Sequence, residues 1–159
     1  MKTFVTSDTH FNHAGIIRFC NRPFKDVDEM TEVLVNNWNN VVSDEDIVYH
    51  LGDVYFGSAS KADVILSRLK GKKHLILGNH DHGKCPVLNK HFETIEMWKQ
   101  IGHFVLTHTP IHPKSWEIKD QDMINLYGHT HLLKMPGDNY INVCVENTNY
   151  APVEIRKDG

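Results

Sequence analysis

The chain has 159 residues, 40% hydrophobic and 23% charged, the size and balance of one globular domain (residues 1–159) with enough core to fold unaided. A net charge of -3 supplies no basic field for nucleic acid, no apolar run nears the roughly 18 residues of a membrane span, and Met1–Val5 reaches Ser7-Asp8 too soon for a signal sequence. Three cysteines (Cys20, Cys85, Cys144) without a C-x-x-C pair argue against a disulfide framework or a thiolate zinc cluster and for a reduced, cytoplasmic setting.

The predicted elements begin with a strand over Lys2–Ser7 and a helical turn over His13–Cys20. Asp26–Val42 reads as an amphipathic helix: Asp26 and Glu29 resemble a capping box, and Val27, Met30, Leu34, Trp38 and Val41 recur at helical spacing. Ile47–His50 is a short apolar strand. Ser60–Leu69 is a second helix with Ser60 as N-cap and Gly71 as its stop, followed by a solvated basic cluster, Lys70, Lys72 and Lys73. A strand over His74–Leu77 follows. Thr94–Lys99 and His103–Thr107 read as a hairpin around Ile101-Gly102. Asn125–Tyr127, Tyr140–Val145 and Val153–Arg156 complete the strands. Strand and helix alternate in the first half and strands dominate the second, which predicts an α/β domain with mixed sheets.

One count stands out: twelve histidines against eleven leucines, the reverse of ordinary usage. Several of these histidines sit in polar motifs at predicted strand ends: Asp8-Thr9-His10, Gly52-Asp53, Gly78-Asn79-His80-Asp81, His108, and Gly128-His129-Thr130-His131. Ligands of open α/β sheets bind beyond the carboxyl ends of strands, so the five motifs are expected to converge there. Asp8 and His10 are two apart, as are His129 and His131, so an extended backbone would point each pair one way. Each motif alone is an ordinary turn or surface feature. All five in order are not.

In that order the motifs resemble the calcineurin-like metallophosphoesterases, whose pattern is D-x-H, G-D, G-N-H-D/E, a lone H, then G-H-x-H. The text Ser7-Asp8-Thr9-His10-Phe11-Asn12-His13 is similar to small bacterial and phage members. The resemblance implies a four-layer α-β-β-α sandwich of two mixed sheets flanked by helices, with a dinuclear metal site at the strand ends. It implies one ion on Asp8, His10, Asp53 and His131, and a second on Asp53, Asn79, His108 and His129. A shared Asp53 suits two cations about 3.5–4 Å apart, which repel each other. Imidazole and oxygen ligands favour manganese, iron, zinc or nickel without deciding among them; manganese is taken as the first candidate.

By the same resemblance His80 protonates the leaving oxygen or stabilises charge on the phosphoryl group, while a bridging hydroxide attacks phosphorus in line. Asp81 would orient His80. In the segment after the first motif, Arg22 is expected to grip a phosphate oxygen, with His13 as a further substrate contact. His50 is either a satisfied buried partner or support behind Asp53. His74, His91 and His103 read as ordinary positions, and His82 and His112, which follow motif loops, are either ordinary positions too or substrate contacts. Trp38 reads as core. Tyr55 and Phe56 either wall the cleft, stacking on a base, or pack in the core.

The expected function is hydrolysis of small nucleotide-type or cyclic phosphodiesters, with a small phosphoester as partner and no membrane. The alternatives are a nuclease or end-processing activity on polynucleotide, which the acidic balance disfavours, a phosphomonoesterase, and a non-enzymatic scaffold resembling the retromer subunit of this fold, which the complete motif set disfavours.

Overall fold

The computed structural model describes residues 1–116 and 122–156. The chain runs β1 (Thr3–Thr6), α1 (Ala14–Phe19), α2 (Val27–Val41), β2 (Ile47–His50), α3 (Ala59–Ser67), β3 (Lys72–Ile76), α4 (Pro86–His91), β4 (Thr94–Glu96), β5 (Trp98–Ile101), β6 (Phe104–Thr107), β7 (Ile124–Tyr127), β8 (Tyr140–Asn142) and β9 (Val153–Ile155). These strands form two sheets, β4-β3-β2-β1-β9 and β5-β6-β7-β8. In the first, β1 to β4 are parallel and β9 is antiparallel to β1. In the second, β6, β7 and β8 are parallel and β5 is antiparallel. Both sheets are mixed, as the alternation of elements predicts.

Side-chain alternation along the strands builds the layers. Phe4 of β1 packs with Met30, Leu34 and Trp38 of α2 and Leu66 of α3, while its neighbour Val5 packs with Leu106 and Leu126 of the second sheet. One apolar layer therefore lies between helices and the first sheet, and another between the sheets. All four residues of β6 are buried, the pattern of a strand covered on both faces. Beyond the second sheet, Val105 packs with Trp116 and Met123, next to a 3₁₀ turn at Pro113–Ser115. Among the described residues, no helix is long and apolar enough to cross a membrane.

Local chemistry explains the element ends. Asp26 caps α2, its Oδ1 accepting the Glu29 N–H at 2.8 Å, while Glu29 reaches back to the Lys25 N–H rather than to that of Asp26. The cap of α3 is Ser58, which accepts the Lys61 N–H. Ser60, the expected cap, lies inside the helix and its hydroxyl meets that of Ser58. The expected strand Thr94–Lys99 is two strands in different sheets. Thr94–Glu96 pairs with β3 and Trp98–Ile101 pairs with β6, so the chain changes sheets at Met97, which is 69% exposed. The expected strand Tyr140–Val145 stops at Asn142, and Val145–Asn147 turns as a 3₁₀ helix. That turn delivers Glu146 to the site described next.

Candidate metal centre

Parallel pairing brings the ends of β1, β2 and β3 together, and β6 and β7 end at the same place. The loops interlock: Asp8 N–H donates to Gly52 O, His10 N–H to Asp53 O, and Gly128 N–H to His108 O. A parallel bridge between Ser7 and Cys144, with Val145 N–H on Ser7 O, ties the first sheet to the chain beyond β8. The extended backbone expected for the two ligand pairs is not what forms. Asp8, His10, Asp53, His129 and His131 all have positive φ, between 49° and 67°. This left-handed region costs a non-glycine residue roughly 1–2 kcal/mol, and such outliers gather at functional sites. Their side chains converge because tight turns, not pleats, aim them.

Two glycines permit that packing. A Cβ on Gly128 would strike Ser7 Oγ and Asp8 Oδ2, and one on Gly78 would strike Asp53 Oδ1. Both carboxylates therefore lie directly on backbone, which only glycine allows.

Asp8 Oδ2 accepts from Ser7 Oγ at 2.6 Å, the His129 N–H at 2.8 Å and Cys144 Sγ at 3.3 Å. Its other oxygen, Oδ1, has no hydrogen-bond partner among the described residues, nor has His10 Nε2, and both atoms are buried. They stand 3.6 Å apart, with His131 Nε2 3.8 Å from Asp8 Oδ1. Asp53 is held the same way: Oδ1 takes the His80 N–H at 3.0 Å. Its Oδ2 lies 3.6 Å from His10 Nε2 and 3.6 Å from His108 Nε2. Asn79 Oδ1 is 2.9 Å from both His108 Nε2 and His129 Nδ1. Ligand atoms of Asp8, His10 and Asp53 lie within 4.8 Å of one another, and so do those of Asp53, His108 and His129. Two orphaned buried atoms, Asp8 Oδ1 and His10 Nε2, and two donor clusters that share Asp53 fit divalent cations. Burial pushes the Asp8 carboxyl up, but the His10 imidazole 3.6 Å away, the nearby His108 and the Ser7 hydrogen bond outweigh that and hold it well below the carboxylate range.

Behind these atoms lies a frame that the sequence reading only partly anticipated. Arg22 does not enter the cleft. It is buried, donating to Asp8 O at 2.7 Å and Thr9 O at 3.0 Å, and through Nε and Nη2 to Glu146 Oε1 at 2.9 and 2.7 Å. Its donors are engaged inside the protein, so it cannot grip a phosphate. Glu146, absent from the sequence reading, is 3.0 Å from His131 Nδ1 through the same oxygen. Burial pulls the His131 imidazole down, but the Glu146 hydrogen bond and the Asp8 charge outweigh it and hold it above its ordinary value.

His50 is buried support. Its Nδ1 accepts the Gly52 N–H at 3.1 Å. In the neutral tautomer this requires, Nε2 donates to Thr9 Oγ1 at 2.9 Å, and Thr9 Oγ1 donates to Val54 O. Burial pulls its pKa down to about 3.

Asp81 does not orient His80 through any observed bond. Its carboxylate accepts the N–H groups of Asp53, Val54 and Gly78 at 2.8, 3.1 and 2.9 Å, fixing the Asp53 loop. His80 itself is exposed, its ring 6.2 Å from that of His10, in a cavity of about 540 Å³ that also reaches Asp53, His129 and His131. His13 lines the same cavity, and its Nδ1 is 3.1 Å from His10 Nδ1. Phe56 stacks on His13 at 4.1 Å and on His10 at 5.1 Å. It walls the cleft by bracing histidines, with both of these contacts made inside the protein. Tyr55 turns away to Cys85 Sγ. Among the remaining histidines, His74 bonds Thr94, His91 bonds Asp63 and His112 caps the 3₁₀ turn. His82 is exposed and lies outside the cavity lining.

The chain belongs to the calcineurin-like phosphoesterases: the profile of that superfamily's domain matches residues 1–146. An uncharacterized protein of Methanocaldococcus jannaschii is 41% identical over 164 aligned positions, covering 97% of this chain and 87% of that one. The gene 66 protein of Mycobacterium phage L5 is 30% identical over 161 positions, covering 81% and 77%. The crystal structure of a protein of unknown function from Aquifex aeolicus superposes with a TM-score of 0.79 at 28% identity, covering 96% of this chain and 95% of that one. At the level of the family, this is a fold for metal-dependent hydrolysis of phosphoesters.

Proposed function

We propose that the protein is a dinuclear metal phosphodiesterase acting on small nucleotide-type or cyclic phosphodiesters. One observation carries the reading: Asp53 Oδ2 lies 3.6 Å from an imidazole nitrogen on each side, His10 Nε2 and His108 Nε2. A single oxygen placed between two ligand sets is the geometry of a bridging carboxylate. Asp8, His10, Asp53 and His131 would hold one ion, and Asp53, Asn79, His108 and His129 the other, with manganese the first candidate. Bound there, the ions would supply Lewis acidity and an activated water.

The chain's own groups do the rest. His80 stands in the cavity without serving as a ligand, and its ring is the proton donor for the leaving oxygen. A poor alkoxide leaving group needs that proton more than an already good one does, so unactivated phosphoesters come within reach. Its backbone N–H holds Asp53 Oδ1, so the same residue aims the bridging carboxylate. Asp81 acts through the loop, holding three N–H groups in place. His13 steadies His10 from the cleft side. The free state of all three cysteines supports a cytoplasmic setting.

The test is a panel on the Mn²⁺-loaded protein: a cyclic nucleotide, bis(p-nitrophenyl) phosphate, p-nitrophenyl phosphate and single-stranded DNA. Diester turnover exceeding monoester turnover is expected. Salt-sensitive DNA cleavage with inert small diesters would replace this reading by a nuclease.

A further inference from the structure

Phe19, Leu132 and Leu133 are 74%, 57% and 76% exposed, and all three line the cavity that holds His10, Asp53 and His131. A single exposed leucine needs no explanation. Three large apolar side chains gathered around a polar centre do, because such patches mark binding surfaces.

Both walls are fixed. On one side, Ile16 and Phe19 are three apart on α1, so they share a face. Ile16 is anchored in the core, and the Phe19 ring stands edge-on to His13 at 6.3 Å. On the other side is the turn after His131. Leu133 N–H donates to Thr130 O at 2.9 Å, and Thr130 Oγ1 to Leu133 O at 2.6 Å. The Asn142 amide donates to Thr130 Oγ1, His131 O and Leu133 O at 3.1, 2.8 and 3.0 Å. Asn147 adds a bond to His131 O at 2.7 Å. A turn held this firmly still presents two leucines to water.

Charge narrows the occupant. Among the described residues, none lining this cavity is Lys or Arg. A polynucleotide or polyphosphate would need such partners along its length. A ligand with its charge confined to one phosphoryl group and an apolar remainder would not.

Resting on the hydrolase reading above, we propose that Phe19, Leu132 and Leu133 form a subsite for an aromatic ester substituent, the class that includes a nucleobase, while the phosphoryl group lies at the carboxylate–histidine centre. The test uses the full chain loaded with Mn²⁺ and two diesters with the same p-nitrophenolate leaving group, one carrying a methyl and one a phenyl substituent. With the leaving group constant, the esters' own reactivities cancel between parent and variant, so the change in the ratio of kcat/KM reads the subsite. The phenyl ester is expected to be favoured by at least roughly tenfold. Phe19→Ala and Leu133→Ser should each lower the ratio at least about threefold. Both positions are exposed, so the fold should persist, and melting temperature checks this. A ratio near one in the parent, or a ratio that neither variant moves, overturns the proposal. So does concentration-dependent dimerisation that Leu133→Ser abolishes, which would assign the patch to a second copy of the chain. If neither ester is hydrolysed, the hydrolase reading fails on its own, and calorimetry decides the subsite. Phenyl phosphate binding at least tenfold tighter than methyl phosphate supports it, and equal or absent binding overturns it.

Discussion

Arg22 and Glu146, 124 residues apart in sequence, form a buried ion pair at 2.7 Å. The pair joins two halves of the candidate centre. The guanidinium holds the carbonyls of Asp8 and Thr9, and the carboxylate holds the Nδ1 side of His131. A carboxylate on the far nitrogen fixes the tautomer and ring orientation of a metal-binding imidazole and raises its basicity. Desolvating two charges makes such a pair a weak source of net stability, but removing one partner leaves the other buried and unpaired.

Glu146→Gln is therefore expected to weaken metal affinity by roughly 10- to 100-fold, read by metal titration of the chelator-stripped protein. Arg22→Ala should cost about 3–5 kcal/mol of stability in denaturant unfolding. Unchanged metal affinity in Glu146→Gln would detach this frame from the site.

His80 is exposed beside the centre and is not among its expected ligands. His80→Ala is expected to lower diester turnover by roughly 10²–10⁴ while metal content stays that of the parent. If turnover is unaffected, the leaving group takes its proton from elsewhere.

The buried His50 predicts a pH dependence with a definite sign. Its pKa is about 3 in the fold against an ordinary 6.5. Between those values the unfolded chain binds a proton that the folded chain refuses, so stability rises with pH across that window. The contribution is complete above 6.5 and is lost as pH falls towards 3. In urea unfolding of metal-free protein, the parent should lose ~2 kcal/mol more than His50→Gln between pH 7 and pH 5. Equal losses would show that His50 is not held neutral.

Much of this was legible in the sequence because the motifs sit where strands stop. Asp8, Asp53 and Asn79 follow three parallel neighbours, so finding the strand ends was enough to bring the motifs together. The α2 cap was legible because it is local: Asp26 and Glu29 are three residues apart. What escaped is non-local. Nothing near Arg22 signals that its partner is 124 residues away, so a basic residue beside a metal motif reads as a phosphate clamp. Met97 interrupts a β-rich run only because its two halves pair with different sheets. Asp8-Thr9-His10 reads as extended, yet contacts with Gly52, Asp53 and the Arg22 guanidinium hold Asp8 and His10 left-handed. Short-range pattern locates the candidate ligands, and tertiary contacts decide how they are aimed.

Metal analysis of the Mn²⁺-loaded protein and its Asp53→Asn variant tests the central claim most directly, because Asp53 alone belongs to both ligand sets. Two ions per chain are expected in the parent and at most one in the variant. One ion per chain in both would contradict a dinuclear centre bridged by Asp53.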